Sequence, residues 1–208
     1  MKKRINDLML AILAGIAIGI GGTAFLKVED PIIGAILFTV GLFTVCTNKL
    51  HLFTGRAGYV LDEPPSYLFD LLITWIGNLI GAAIIGYGLR LTRISGIADR
   101  AAQMCATKMS DTPWSIFILA FFCGMLMYVA VDGFRKNEHQ IGKYLGLLLC
   151  VPGFIVCGFE HCVANMYYIS VANAWNIHSF LYLIIMTLGN LVGCFSIPGI
   201  KKICAGTK

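Results

Sequence analysis

The chain of 208 residues is 58% hydrophobic and 13% charged, with a mean hydropathy of +0.79 and a formal net charge of +5. A soluble domain of this size needs far more polar surface, so the composition excludes one and selects an all-α polytopic membrane protein whose first partner is the lipid bilayer. Nothing in the charge pattern asks for nucleic acid, and eight cysteines without a CxxC pair do not imply a disulfide framework.

The first charge-free run, 8–26, follows MKKR. It is long for the apolar core of a leader and lacks a clean small-x-small site, so a retained first span is expected. The runs 31–48, 71–89, 112–131 and 144–159 accommodate one span each, since a spanning helix takes about 20 apolar residues. The block 161–200 is twice too long for one span and is interrupted by polar residues around 172–179. Six spans result, of which the second and fifth are unusual.

The second span reads as a helix over 32–48, an interruption at 49–55 (KLHLFTG) and a short half-helix at 56–61 before DEPP. The third span contains IGNLIG at 76–81, and the sixth contains LGNLVG at 188–193. Each copy closes a set of three spans, as a duplicated unit predicts, and an odd number of spans per unit inverts one half against the other. The expected organisation is a single domain, 1–208, of two inverted three-helix repeats near 5–92 and 112–201. The glycines at small-xxx-small spacing let helices approach, and Asn78 and Asn190 are expected to hydrogen-bond neighbouring backbone.

Basic residues set the orientation. Lys2, Lys3 and Arg4, the 132–143 loop with Arg135, Lys136 and Lys143, and the tail with Lys201, Lys202 and Lys208 fall on one side, expected to be cytoplasmic together with both termini. Arg90, Arg93, Arg100 and Lys108 then lie outside, either as a loop that escapes the rule or as a positive surface that gathers anions.

The fifth span reads as a helix over 144–157, a break at 158–161 (GFEH) and a short piece near 162–171. Glu160 is the only formally charged residue between Lys143 and Lys201. Non-helical backbone at membrane depth is tolerated only inside protein or along a water-filled path, so two matched breaks point to a central passage. An ionisable group at such depth is a functional hypothesis by default. His161 is suited to share a proton, Glu160 either accepts from its ring or pins the loop by accepting backbone N–H groups, and Thr54 supplies a hydroxyl at the other break. A neutral-solute or metal permease is one alternative, with Cys157, His161 and Cys162 as metal ligands, which the usual packing role of membrane cysteines opposes. An intramembrane enzyme using Glu160 and His161 as acid and base is a second alternative, but no nucleophile motif or cofactor fingerprint accompanies them.

The stretch GFEHCVANM at 158–166 closely resembles the signature of the formate/nitrite transporter family, and LFTG at 52–55 looks like that family's loop in the second helix. The positions of Phe38 and Phe154 relative to Thr54 and His161, and the GNLIG and GNLVG elements, extend the resemblance over nearly the whole chain. It implies an aquaporin-like fold in the inner membrane, a homopentamer with one pore per subunit, no enzyme activity and no cofactor. It further implies an outer constriction at Phe38 and Phe154, an inner one at Leu42, Leu52 and Phe53, His161 and Thr54 between them with Asn165 nearby, and Lys108 at the outer vestibule. The expected substrates are small monovalent anions of weak acids: formate, nitrite, hydrosulfide, and in some members acetate or lactate. Desolvation raises the anion's own pKa, so transport coupled to a proton follows from an apolar pore. Two features depart from the family pattern. The segment 48–51 is more polar and basic, so that Lys49, His51 and Arg56 are either ordinary membrane-surface residues or residues that alter gating, and Cys123-Gly124 stands where members often have an asparagine, which bears on selectivity.

Overall fold

The computed structural model describes residues 2–206; Lys208, counted with the basic tail, lies outside them. Among the described residues there are nine helices and no strands: α1 (Lys2–Lys27), α2 (Pro31–Thr47), α3 (Phe53–Ala57), α4 (Tyr67–Arg90), α5 (Ile97–Met109), α6 (Pro113–Lys136), α7 (Gln140–Val156), α8 (Cys162–Ala172) and α9 (Ile177–Gly206). Four of them, α1, α4, α6 and α9, are long and apolar enough to cross a membrane, while α2, α7 and α8 are apolar but shorter. Large aliphatic and aromatic side chains such as Ile36, Phe43, Ile84 and Leu149 are left on the outer surface, as a protein solvated by lipid requires.

Local chemistry fixes the helix starts. Asp30 accepts from the backbone N–H groups of Ile32 (2.8 Å) and Ile33 (2.9 Å) ahead of Pro31, and Thr112 accepts from Ser115 ahead of Pro113. A capping oxygen followed by proline satisfies free donors and presets φ for the first turn. Helices α1 and α4 pack together, as do α6 and α9, with α2 beside α1 and α7 beside α6. The approach is close because a Cβ at Gly81 would run into the Ile12 carbonyl oxygen, and one at Gly193 into that of Phe121. Gly124 serves the same end: a Cβ there would meet the Asn190 carbonyl oxygen, so the departure at 123–124 has a packing cause.

Hydrogen bonds and ion pairs sort the connections into two ends. Lys3 pairs with Asp70 (3.5 Å), Lys202 with Asp62 (2.6 Å), and Tyr59 and Lys136 both meet Asp132. These contacts gather the start of α1, the turn after α3, the end of α6 and the end of α9. At the opposite end the 90–112 connection is not an open basic loop, because it folds into α5. Arg90 donates to Val171 O (2.7 Å), and Arg100 donates to Leu26 O (3.2 Å) and to Val28 O while lying over the Phe25 ring. Both guanidiniums therefore serve the unpaired carbonyls at helix C-termini, where a cation is favoured; Arg93 is left exposed.

Candidate functional site

The two breaks are built alike. Helix α2 ends through Lys49 at φ +54°, with Leu50 N donating to Val45 O, and α7 ends through Gly158 at φ +69°, with Phe159 N donating to Phe154 O (both 2.9 Å). Each is a left-handed termination that turns the chain across the bundle. The crossing strand is then pinned by an asparagine. Asn78 accepts from Phe53 N (2.8 Å) and donates to Ala11 O (2.8 Å) and His51 O (2.9 Å). Asn190 accepts from Cys162 N (2.8 Å) and donates to Ala120 O (2.8 Å) and Glu160 O (2.7 Å). Both side chains are fully buried and hold backbone, as the sequence suggested. Register follows: Leu52 stands at the position of His161, His51 at that of Glu160, and Arg56 at that of Asn165.

The boundaries differ from the sequence reading at the first break. The interruption ends at Leu52 rather than at Gly55, and the half-helix is α3, which begins at Phe53. The Asn78 carboxamide, from a helix distant in sequence, accepts the first N–H and so allows the earlier start.

His161 is the N-cap of α8. Its Nδ1 accepts from Ala164 N (3.1 Å), and its Nε2 lies 2.9 Å from Thr54 Oγ1. Because Nδ1 is an acceptor, the ring proton sits on Nε2 and donates to the Thr54 hydroxyl. This one contact joins the two breaks at the centre of the molecule, between residues that are 2% and 1% exposed. Phe154 stacks on the imidazole (5.8 Å, 25°) and meets Phe38 edge to face (5.9 Å, 88°). Leu42, Leu52 and Phe53 are also buried, and Leu52 lines the chamber described below.

Glu160 takes neither expected role. It receives Lys108 Nζ at 2.5 Å and Asn165 Nδ2 at 2.8 Å, and the ring tautomer is fixed by Ala164 N instead. Asn165 also donates to His161 O (2.9 Å), and its Oδ1 has no partner among the described residues. Lys108 is thus tied to a carboxylate rather than standing as a lone vestibule cation. What sequence missed is that α5 folds back to deliver it.

Two spaces flank the central contact. A pocket of about 90 Å³ is lined by Lys108, Phe154, Gly158, His161 and Asn165. A chamber of about 400 Å³ at the opposite end is lined by Lys49, His51, Leu52, Gly55, Arg56, Arg135 and Lys143. His51 Nδ1 lies 3.0 Å from Arg56 Nη1 and 3.3 Å from Asp7 Oδ1. Asp7 was not singled out by sequence; its place near the start of α1, seven residues in, reads as ordinary membrane-surface charge. As to the metal alternative, Cys157 is exposed, Cys162 is buried, both His161 nitrogens face protein partners, and no group of three His, Cys, Asp or Glu side chains able to hold a metal occurs among the described residues.

Residues 2–202 match the model of the family described as formate/nitrite transporter. The chain is 30% identical to the probable formate transporter of Methanothermobacter thermautotrophicus, over 89% of this chain and 83% of that protein. It is 24% identical to the formate channel FocB of Escherichia coli strain K12, over 83% of this chain and 68% of that one. A solved pentameric formate channel with formate bound has a TM-score of 0.84 at 24% identity, covering 100% of this chain and 99% of that chain. An FNT family ion channel gives 0.83 at 21% identity.

Proposed function

This chain belongs to the formate/nitrite transporter family, and from that premise we propose that it carries small monovalent weak-acid anions (formate, nitrite or hydrosulfide) across the cytoplasmic membrane, each with a proton. The observation that carries the reading is the buried His161–Thr54 contact, with Phe154 stacked on the imidazole, a pocket on one flank and a chamber on the other; Phe38 with Phe154, and Leu42 with Leu52 and Phe53, are proposed as its two constrictions. The finer architecture proposed is six spans, with α2–α3 and α7–α8 as the broken ones, in two inverted halves near 5–92 and 112–201, assembled as a homopentamer. The matched terminations and the matched asparagines support the duplication. The basic end that holds the start of α1 and the end of α9 supports cytoplasmic termini.

The mechanism follows from bond direction. The imidazole is neutral, with its single ring proton on Nε2, and giving that proton away would leave an imidazolate in an apolar slit. His161 therefore donates a hydrogen bond, first to Thr54 and then to a passing anion, and does not surrender the proton. The anion's own basicity rises as it loses water, and it takes a proton from the solvent of the small pocket. The unpartnered Asn165 Oδ1, an acceptor in that pocket's lining, suits the O–H of a neutral acid better than a carboxylate. The neutral molecule crosses the phenylalanine and leucine constrictions without the cost of moving a bare ion. Lys108 fixes Glu160 and the pocket wall, and the pair contributes little net field. Proteoliposomes loaded for formate, nitrite and hydrosulfide flux at two pH values test this. Flux that rises on acidification above that of empty vesicles supports it; anion flux no greater than in empty vesicles rejects it.

A further inference from the structure

We propose that the basic chamber below Leu52 is a binding site for a free multivalent oxyanion of the phosphate class, and that its occupancy blocks the path. Four permanent cations line the chamber, Lys49, Arg56, Arg135 and Lys143, with His51 accepting from Arg56 beside them, and no carboxylate lines it. Of the nearby acids, Asp7 lies against His51, and Asp132 is held by Tyr59 and Lys136. Arg56 uses one guanidinium nitrogen on His51 and Thr74 and lies over Tyr67, and Arg135 lies over Tyr59, so both forks are held in place. The ammonium groups of Lys49 and Lys143 have no protein partner among the described residues.

Size and charge together select the ligand. A water occupies about 30 Å³ and a triatomic anion only about twice that, so a chamber of about 400 Å³ is several times too large to hold one closely. A monovalent ion in so wet a space gains little, whereas attraction to a cluster of cations grows with each charge on the ligand. Fixed guanidinium forks match phosphate oxygens in geometry, and two lysines supply mobile point charges. The position gives the consequence. Leu52 and Gly55 are part of the wall, and Thr54 between them contacts His161. An ion seated there lies across the flank of the central contact opposite the small pocket.

The blocking half of this proposal rests on the transport reading, and the binding half does not. The test uses the full chain purified in detergent and in nanodiscs, with pyrophosphate as the probe. Pyrophosphate should raise the unfolding temperature and bind by titration, while formate at matched ionic strength should do neither. The variant Lys49→Asn with Lys143→Gln should bind at least about tenfold more weakly, because two charge-assisted contacts are lost. Asparagine keeps the left-handed backbone at position 49, and an unchanged melting point without ligand shows that the variant is folded. Equal binding by variant and wild type, or equal responses to formate and pyrophosphate, overturns the site. Displacement of pyrophosphate when phosphatidylglycerol replaces zwitterionic lipid assigns the cations to a lipid headgroup and overturns the soluble ligand. In vesicles, pyrophosphate on both faces should suppress formate flux of wild type and spare the variant; flux that ignores bound pyrophosphate overturns the block. Binding without formate flux under any condition counts against the transport reading and leaves the site intact.

Discussion

From Thr47 to Phe53 and from Val156 to Cys162 the backbone takes the same course: a left-handed residue, a crossing strand, an asparagine clamp and a short buried helix. The side chains on that course differ in kind. The first break places Leu52 where the second places His161, and His51 with Arg56 where the second has Glu160 with Asn165. One crossing is greasy at the centre and basic at its mouth; the other is polar at the centre and charge-neutral at its mouth, where Lys108 meets Glu160. The comparison teaches that the shared backbone course only sets the crossing. The chemistry arises from unlike side chains on the two crossings, so that one hydroxyl, Thr54, and one imidazole, His161, meet between them.

The comparison can be broken at its centre first. His161→Phe makes the second crossing apolar like the first, and flux in vesicles should fall to the level of empty ones while the protein still folds. Next comes the mouth. Lys108→Ala leaves the nearly buried Glu160 carboxylate without its cation, which should lower stability by about 3–5 kcal/mol in a thermal or denaturant melt. Adding Glu160→Gln should recover most of that loss; a single variant as stable as wild type would show that the pair carries no weight.

The clamps test the equivalence itself. Asn78→Ala and Asn190→Ala each leave one buried N–H and one crossing carbonyl, that of His51 or of Glu160, without its partner, so each should cost about 2–3 kcal/mol. A large difference between them would contradict the shared scaffold. The smallest effects belong to the terminations. Gly158→Ala forces a side chain into the left-handed region and should cost about 1 kcal/mol, whereas Lys49→Gly relieves that strain and should leave stability within about 1 kcal/mol of wild type. Melting curves of the two variants decide it.

Much of the site was legible from residues alone. His161, Thr54 and Asn165 do come together and the asparagines do hold backbone, while the meeting of Phe38 and Phe154 beside the imidazole was implied only by the family resemblance. The polar residues were readable because polar groups in an apolar block are costly and so mark themselves. The start of α3 was misplaced because Asn78, from another helix, accepts the first N–H. The vestibule lysine and the basic loop were read as free charge because nothing local shows that α5 returns to Glu160, or that Arg90 and Arg100 reach helix ends.

Hydropathy along the chain, by itself, determined that this is a membrane protein with interrupted helices, since burial in lipid is decided residue by residue. The register of the two crossings, the partner of Glu160, the nitrogen of His161 that bears the proton, and the basic chamber were decided only in three dimensions. Each depends on which distant donor or acceptor arrives within hydrogen-bonding range, and that is a property of packing rather than of sequence order.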